Sequence, residues 1–231
     1  MMALFHYPLS VPSRFTRLIL SEWDLPHDLV EERTWERREE FLAMNPAGTL
    51  PVLVEDGGPP VAGVWAVAEY LDETHGPDLA DRRLLPQAAP ARAEVRRLLE
   101  WFLVKFEEEV ATYLVEEKVL KRLRAKAGNG GGAPDSSRLR AARSNIRVHL
   151  HYIEHLLEER RWLAGDAMSY ADLAAAAALS VADYLGEVPW QHAPEAKDWY
   201  ARVKSRPAFR PLLADEVRGA LPPEHYADLD F

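Results

Sequence analysis

The chain has 231 residues, a formal net charge of −9 and no cysteine. Such an excess of acidic residues repels phosphate backbones, which excludes general nucleic-acid binding. Without cysteine, disulfides, thiolate catalysis and thiolate metal sites are excluded, and we predict no metal centre. No apolar run reaches membrane-spanning length, and the first residues lack the basic and apolar regions of a secretory signal. These features predict a cytoplasmic protein with no membrane partner.

The first 80 residues alternate between short runs of strand character and amphipathic helices. Pro12 suits the first turn of the first helix, and the Asn45-Pro46 pair stops the second. The predicted order is βαβαββα, in a domain that covers residues 1–80. In chain order the predicted elements are a strand (3–6), a helix (13–23), a weak strand (29–31), a helix (38–44), two strands (51–54 and 61–62) and a helix (65–75).

The rest of the chain is predicted to be helical and to form a second domain over residues 88–231. A long helix over residues 94–126 carries apolar residues at helical spacing. After a glycine-rich loop, Asp135 or Ser136 caps a second long helix, which reaches about residue 160. A helix over residues 195–205 precedes a C-terminal tail that we predict to be irregular.

Two segments resemble the glutathione transferase superfamily. Residues 45–75 resemble the second half of its thioredoxin-like domain, with Leu50-Pro51 in the place of the cis-proline. Residues 162–172 resemble the capping box of its helical domain, because Asp172 follows Ser169 by three residues. The helix that begins there is apolar on all sides, so we expect it to be buried. The resemblance implies an α/β plus all-α protein with a thioredoxin-like N-terminal domain and an all-helical C-terminal domain.

The resemblance also implies where a glutathione thiol would be activated. In serine-type members, a serine at the start of the first helix donates a hydrogen bond to the glutathione thiolate. Ser10 occupies that place, and Ser13 is the alternative. Both residues are equally explained as ordinary helix caps. His6 and Tyr7 are weaker candidates, because their place at a strand end favours a role in packing.

The residues that would hold the rest of glutathione are missing. In the family, an acidic residue followed by serine binds the γ-glutamyl group, and the backbone before the cis-proline pairs with the peptide. Leu50 and Pro51 keep the second feature, but Gly63 and Val64 stand where the acidic residue and serine are expected. Each charged hydrogen bond lost costs roughly 1.5–3 kcal/mol. We therefore expect a vestigial cleft that binds glutathione weakly or not at all, and no cofactor.

Two surfaces are candidate partner sites. A basic cluster flanks the glycine-rich loop, residues 128–134, and is either a solvated helix face or a docking site for an acidic protein. It consists of Lys118, Lys121, Arg122, Arg124, Lys126, Arg138, Arg140, Arg143 and Arg147, and Lys121 and Arg124 are the candidate contacts. The C-terminal tail mixes acidic residues with apolar and aromatic anchors, which is typical of a short segment that docks on its own fold or on a partner. The candidate tail residues are Tyr226, Asp228, Leu229, Asp230 and Phe231.

Residues 4–14, 205–215 and 222–231 resemble a subgroup of glutathione transferase-fold cell division proteins in alphaproteobacteria. The resemblance implies a non-catalytic homodimer that binds FtsZ polymers at the division site. Trp65 and Tyr70 are candidate dimer contacts, although either could belong to the core. One alternative is a glutathione transferase that uses Ser10 to activate the thiol toward a small electrophile. Another is a structural partner of a different assembly.

Overall fold

The computed structural model describes residues 1–128 and 130–229. Its first part contains a four-stranded mixed sheet in the spatial order β2-β1-β3-β4. Strand β1 is parallel to β2 and antiparallel to β3, and β3 is antiparallel to β4. This topology confirms the thioredoxin-like prediction. The strands are β1 (Met2–His6), β2 (His27–Glu31), β3 (Val52–Glu55) and β4 (Val61–Ala62).

Three helices accompany the sheet: α1 (Val11–Glu22), α2 (Glu39–Met44) and α3 (Val64–Thr74). Helix α1 begins two residues earlier than predicted because the Ser10 side chain caps it and accepts a hydrogen bond from the Ser13 N–H at 3.3 Å. The Leu50-Pro51 peptide bond is cis, as expected from the resemblance.

The second part is helical throughout, as predicted. Helix α4 spans residues 89–126 as consecutive α- and π-helical segments, and α5 (Ser136–Leu157) begins after the cap that Asp135 provides. Helix α4 begins earlier than predicted because Pro90 is accommodated in its first turn. The remaining helices are α6 (Tyr170–Tyr184), α7 (Pro194–Lys204) and the short α8 (Arg210–Leu213).

Helix α6 forms the centre of the molecule, and all of its residues are buried, as its apolar sequence predicts. The capping box is present: Asp172 accepts hydrogen bonds from the Ser169 and Leu163 N–H groups, both at 2.9 Å. Its carboxylate also accepts from Trp199 Nε1 at 3.0 Å, so it joins α6 to α7. Buried residues continue without interruption from the sheet, through α1, to α6.

The tail is more ordered than predicted. It contains the turns Pro207–Phe209 and Glu224–Tyr226 in addition to α8. The tail is ordered because Arg14 and Lys204, which are distant in the sequence, form hydrogen bonds with it. Local sequence patterns do not predict such contacts. Across residues 1–128 and 130–229, no helix has both the length and the apolar character needed to cross a bilayer.

Candidate functional site

A cleft of about 380 Å³ lies between the thioredoxin-like part and helix α4. Its walls are mostly apolar and include Leu9, Leu50 and Leu120. Ser10 lies at its edge, where its Oγ accepts the Ser13 N–H. That contact leaves the Ser10 hydroxyl proton available for donation into the cleft.

The position of Ser13 does not support it as the alternative to Ser10 for activating a thiol. It is fully buried, and its hydroxyl accepts a hydrogen bond from the Tyr7 N–H at 3.3 Å inside the core. Because it faces the core, Ser13 does not line the cleft.

Four residues are predicted to form the vestigial glutathione site, and the structure describes all of them. Leu50 lines the cleft, whereas Pro51, Gly63 and Val64 do not. Gly63 precedes α3 with a φ of 92° and caps it without any side-chain hydrogen bond. Its N–H donates to the Pro51 carbonyl at 3.0 Å. The start of α3 therefore offers no carboxylate and no hydroxyl to a γ-glutamyl group.

Two polar side chains in the cleft have unused hydrogen-bonding atoms. Tyr7 packs edge-on against Trp35 with ring centroids 5.1 Å apart, and its hydroxyl is buried without a partner among the described residues. Burial raises the pKa of Tyr7 to about 12. On the opposite wall, Glu107 Oε2 is also buried without such a partner, and burial raises the pKa of this carboxyl to about 8. The other strand-end candidate, His6, is buried, which lowers its pKa to about 4.

A fully buried arginine connects α1 to the tail. Arg14 Nη1 donates to Ser180 Oγ at 2.9 Å and to Tyr226 Oη at 2.8 Å, and its Nη2 lies 3.4 Å from Asp215. Arg17 makes a two-pronged ion pair with the same Asp215, with both distances 2.8 Å. Through these contacts the start of the chain, the central helix and the tail share one buried polar network.

A buried lysine holds the end of the tail. Lys204 is fully buried, and its Nζ donates to the carbonyls of His225 at 3.3 Å and Asp228 at 2.6 Å. Asp183 lies 3.9 Å from this ammonium and 3.4 Å from His225 Nε2. Burial lowers the pKa of Lys204, while Asp183 and Asp228 oppose that shift. The backbone at Asp228 is therefore fixed in position, while its side chain is exposed.

The prediction that Tyr226 contacts a partner is wrong, because the residue is buried in its own fold. Its side chain is fully buried, and its hydroxyl donates to the Leu212 carbonyl at 3.1 Å while it accepts from Arg14. Tyr226 therefore attaches the tail to its own fold. Leu229 is 42% exposed, as a partner contact requires. Asp230 and Phe231 lie outside the described residues.

Several cations of the basic cluster have acidic neighbours. Lys121 Nζ lies 2.5 Å from the buried Glu117, and Arg124 lies 2.7 Å from Glu116. Arg138, across the glycine-rich loop, also pairs with Glu117 at 3.0 Å. Lys121 and Arg124 therefore already have carboxylate partners, which makes these two residues weaker candidates for contact with an acidic partner than the sequence suggests.

Family models match both parts of the chain. The model described as glutathione S-transferase, N-terminal domain, matches residues 4–79, and the model of the C-terminal domain matches residues 126–207. The chain belongs to the glutathione S-transferase superfamily. Within this fold the chain has Ser10 before α1, a cis bond before Pro51, and Gly63 and Val64 at the start of α3.

Three matches to individual proteins cover nearly the whole chain. FtsZ-localized protein A of Caulobacter vibrioides is 47% identical over 231 residues, with 99% of this chain and 97% of that protein covered. The solved structure of FzlA from C. crescentus has a TM-score of 0.91 at 47% identity and covers 100% of this chain and 99% of its own. A structure from Sinorhizobium meliloti, described as a glutathione S-transferase, has a TM-score of 0.96 at 57% identity and covers 100% of both chains.

Sequence reasoning missed three residues of this transferase-fold protein: Arg14, Lys204 and Glu107. Arg14 left a signal, because it interrupts the apolar face of α1 between Val11 and Leu18, where a charged residue must find a buried partner. Lys204 and Glu107 lie in ordinary charged stretches, and nothing in their spacing marks them as buried.

Proposed function

We propose that this protein is a non-catalytic member of the superfamily that binds FtsZ polymers and supports cell division. The observation that carries the proposal is the 47% identity to FtsZ-localized protein A over nearly the whole of both chains. The missing γ-glutamyl contacts at Gly63 and Val64 support the non-catalytic part. The proposal includes a homodimer, in which Trp65, 39% exposed on α3, is a candidate contact. Tyr70 is a weaker candidate because its hydroxyl donates to Glu55.

We further propose that the end of the tail is the FtsZ-binding surface. Lys204 fixes the backbone of Asp228, so the exposed Asp228 and Leu229 side chains are presented on a supported segment. A fixed segment loses less conformational entropy on binding than a free one. In such a contact, Leu229 supplies apolar area and Asp228 sets specificity by charge.

The Asp228→Lys variant tests this surface in co-sedimentation with FtsZ polymers. We expect it to lose at least about tenfold in affinity, because an exposed acidic contact becomes a repulsive one. Asp228→Asn is the matched variant, since it removes the charge without placing a second cation beside Lys204. We expect it to bind more weakly than the wild type and more tightly than Asp228→Lys.

The rival surface is the basic cluster, and Arg124→Glu reverses a charge there. If Arg124→Glu abolishes co-sedimentation while Asp228→Lys binds like the wild type, the tail is not the binding surface. If both variants bind like the wild type, neither proposed surface contacts FtsZ.

The second candidate function is glutathione conjugation, favoured by the free hydroxyl proton of Ser10 at the cleft edge. We expect calorimetry to detect no glutathione binding tighter than about millimolar, because several charged hydrogen bonds of the family are missing. A dissociation constant in the low micromolar range would make this the leading function. In that case Ser10→Ala would abolish conjugation to a model electrophile, while the matched Ser21→Ala variant, at the other end of α1, would not.

A further inference from the structure

Two histidines lie one turn apart near the end of helix α5. His151 and His155 are separated by four positions within the uninterrupted α-helix Ser136–Leu157, and both side chains are exposed. Residues at this spacing lie on the same face of a helix, with their Cβ atoms about 5–6 Å apart. One ion can therefore contact both imidazoles, as it does in helical zinc motifs that carry histidines at this spacing.

A carboxylate orients the second histidine. His155 Nδ1 lies 3.2 Å from Glu158 Oε2. An ionised carboxylate can only accept a hydrogen bond, so Nδ1 carries the proton and Nε2 of the neutral ring keeps its lone pair. Metal-binding histidines commonly donate their other N–H to a carboxylate in this way, which fixes the tautomer and raises the basicity of the ligating nitrogen. His155 therefore has the tautomer that an ion bound through Nε2 requires.

The end of α5 is electrostatically suited to a cation. The C-terminal end of a helix carries partial negative charge, and α5 ends at Leu157, close to both histidines. Two exposed carboxylates follow directly, those of Glu158 and Glu159. Arg160 pairs with Glu94 at 2.7 Å and adds no net charge, whereas Arg161 adds one positive charge. The last turn therefore keeps an excess of negative charge.

This histidine pair has no third protein ligand in the part of the chain that the structure describes. Across residues 1–128 and 130–229, no three His, Asp or Glu side chains are grouped so that they could hold a metal ion. His149 precedes the pair but is fully buried, and its Nδ1 accepts a hydrogen bond from Trp101 Nε1 at 3.0 Å. An ion held by His151 and His155 would therefore complete its coordination with water.

The ligand type selects the class of ion. Imidazole suits Zn²⁺, Ni²⁺ and Cu²⁺, whereas Mg²⁺ and Ca²⁺ prefer oxygen ligands. The absence of cysteine excludes thiolate sites only and does not bear on imidazole ligands. We propose that His151 and His155 bind a divalent transition-metal ion of the imidazole-preferring class at the exposed end of α5. The proposal is independent of FtsZ binding.

Calorimetry on the full chain with Zn²⁺ tests the proposal. We expect about one Zn²⁺ ion to bind per chain, with Mg²⁺ giving no measurable heat because the site has nitrogen ligands. Cu²⁺ should bind more tightly than Zn²⁺, following the general order of affinities among divalent ions.

Two variants locate the ion. His151→Ala and His155→Ala should each weaken Zn²⁺ binding by at least about tenfold, because the loss of one imidazole removes the advantage of two linked ligands. The matched His192→Ala variant changes an exposed histidine outside α5 and should bind Zn²⁺ like the wild type. Alanine favours a helix, so we expect both α5 variants to remain folded, and circular dichroism checks this.

Several results would overturn the proposal. They are an absence of heat with Zn²⁺ at millimolar concentration, binding of Mg²⁺ as tight as that of Zn²⁺, and unchanged Zn²⁺ binding by a folded His151→Ala or His155→Ala variant. An equal loss of Zn²⁺ binding in His192→Ala would also overturn it. An α5 variant that does not fold would be replaced by the glutamine variant at the same position, for which the same outcomes apply.

Discussion

We expect Arg14→Met to lower the free energy of unfolding by about 3 kcal/mol, since removing one partner of a buried ion pair costs roughly 3–5 kcal/mol. Methionine fills much of the same space but leaves the Ser180 and Tyr226 hydroxyls without their shared donor. The loss falls at the lower end of the range because Arg17 still neutralises Asp215. Urea unfolding followed by circular dichroism measures the change.

The matched control is Arg210→Met, which replaces an exposed arginine at the start of α8. We expect it to change the free energy of unfolding by less than about 0.5 kcal/mol, as is usual for surface substitutions. If Arg14→Met is as stable as Arg210→Met, the buried network does not hold the tail to the fold. If it is destabilised as expected, the tail should also become more sensitive to proteolysis near Tyr226.

We expect Glu107→Gln to stabilise the protein by a few kcal/mol at about pH 9 and to have little effect at about pH 4. Burial raises the pKa of Glu107 from 4.5 to about 8. Because the pKa of Glu107 is higher in the folded state than in the unfolded state, ionisation of this group disfavours folding. The stability of the wild type is therefore full below about pH 4.5 and falls as the pH rises through about 8. Each unit of pKa shift corresponds to about 1.4 kcal/mol, and glutamine lacks this ionisation.

Unfolding in urea across this pH range, with wild type and variant measured side by side, isolates the contribution of Glu107. The exposed Glu108→Gln variant should follow the wild-type curve. A constant difference between Glu107→Gln and wild type at every pH would contradict the expectation, because it would mean that Glu107 titrates alike in the folded and unfolded states.

Local sequence rules were sufficient for much of the fold. The spacing of Ser169 and Asp172 predicted the capping box, and the uniformly apolar α6 predicted its own burial. The cis bond before Pro51 and the thioredoxin-like order followed from the family resemblance. These features depend on residues that are close together in the chain, or on motifs that the family shares.

The sequence could not predict contacts between distant residues. Tyr226 was a candidate partner contact in the sequence, but Arg14, 212 positions away, binds its hydroxyl in the core. The sequence gives no sign that Lys121 has a partner, but the tertiary fold places it beside the buried Glu117. Glu107 is one acid in a run of three, and only the cleft distinguishes it from its neighbours. In each case the deciding partner is set by the tertiary fold.

Co-sedimentation of the wild-type protein with FtsZ, in the presence and absence of glutathione, tests the central claim most directly. We expect the protein to pellet with polymerised FtsZ and to remain in the supernatant with unpolymerised FtsZ. Millimolar glutathione should leave the pelleted fraction unchanged, because the start of α3 has no carboxylate or hydroxyl side chain to bind its γ-glutamyl end. A protein that stays in the supernatant with FtsZ polymers, or that pellets only when glutathione is present, would contradict this account.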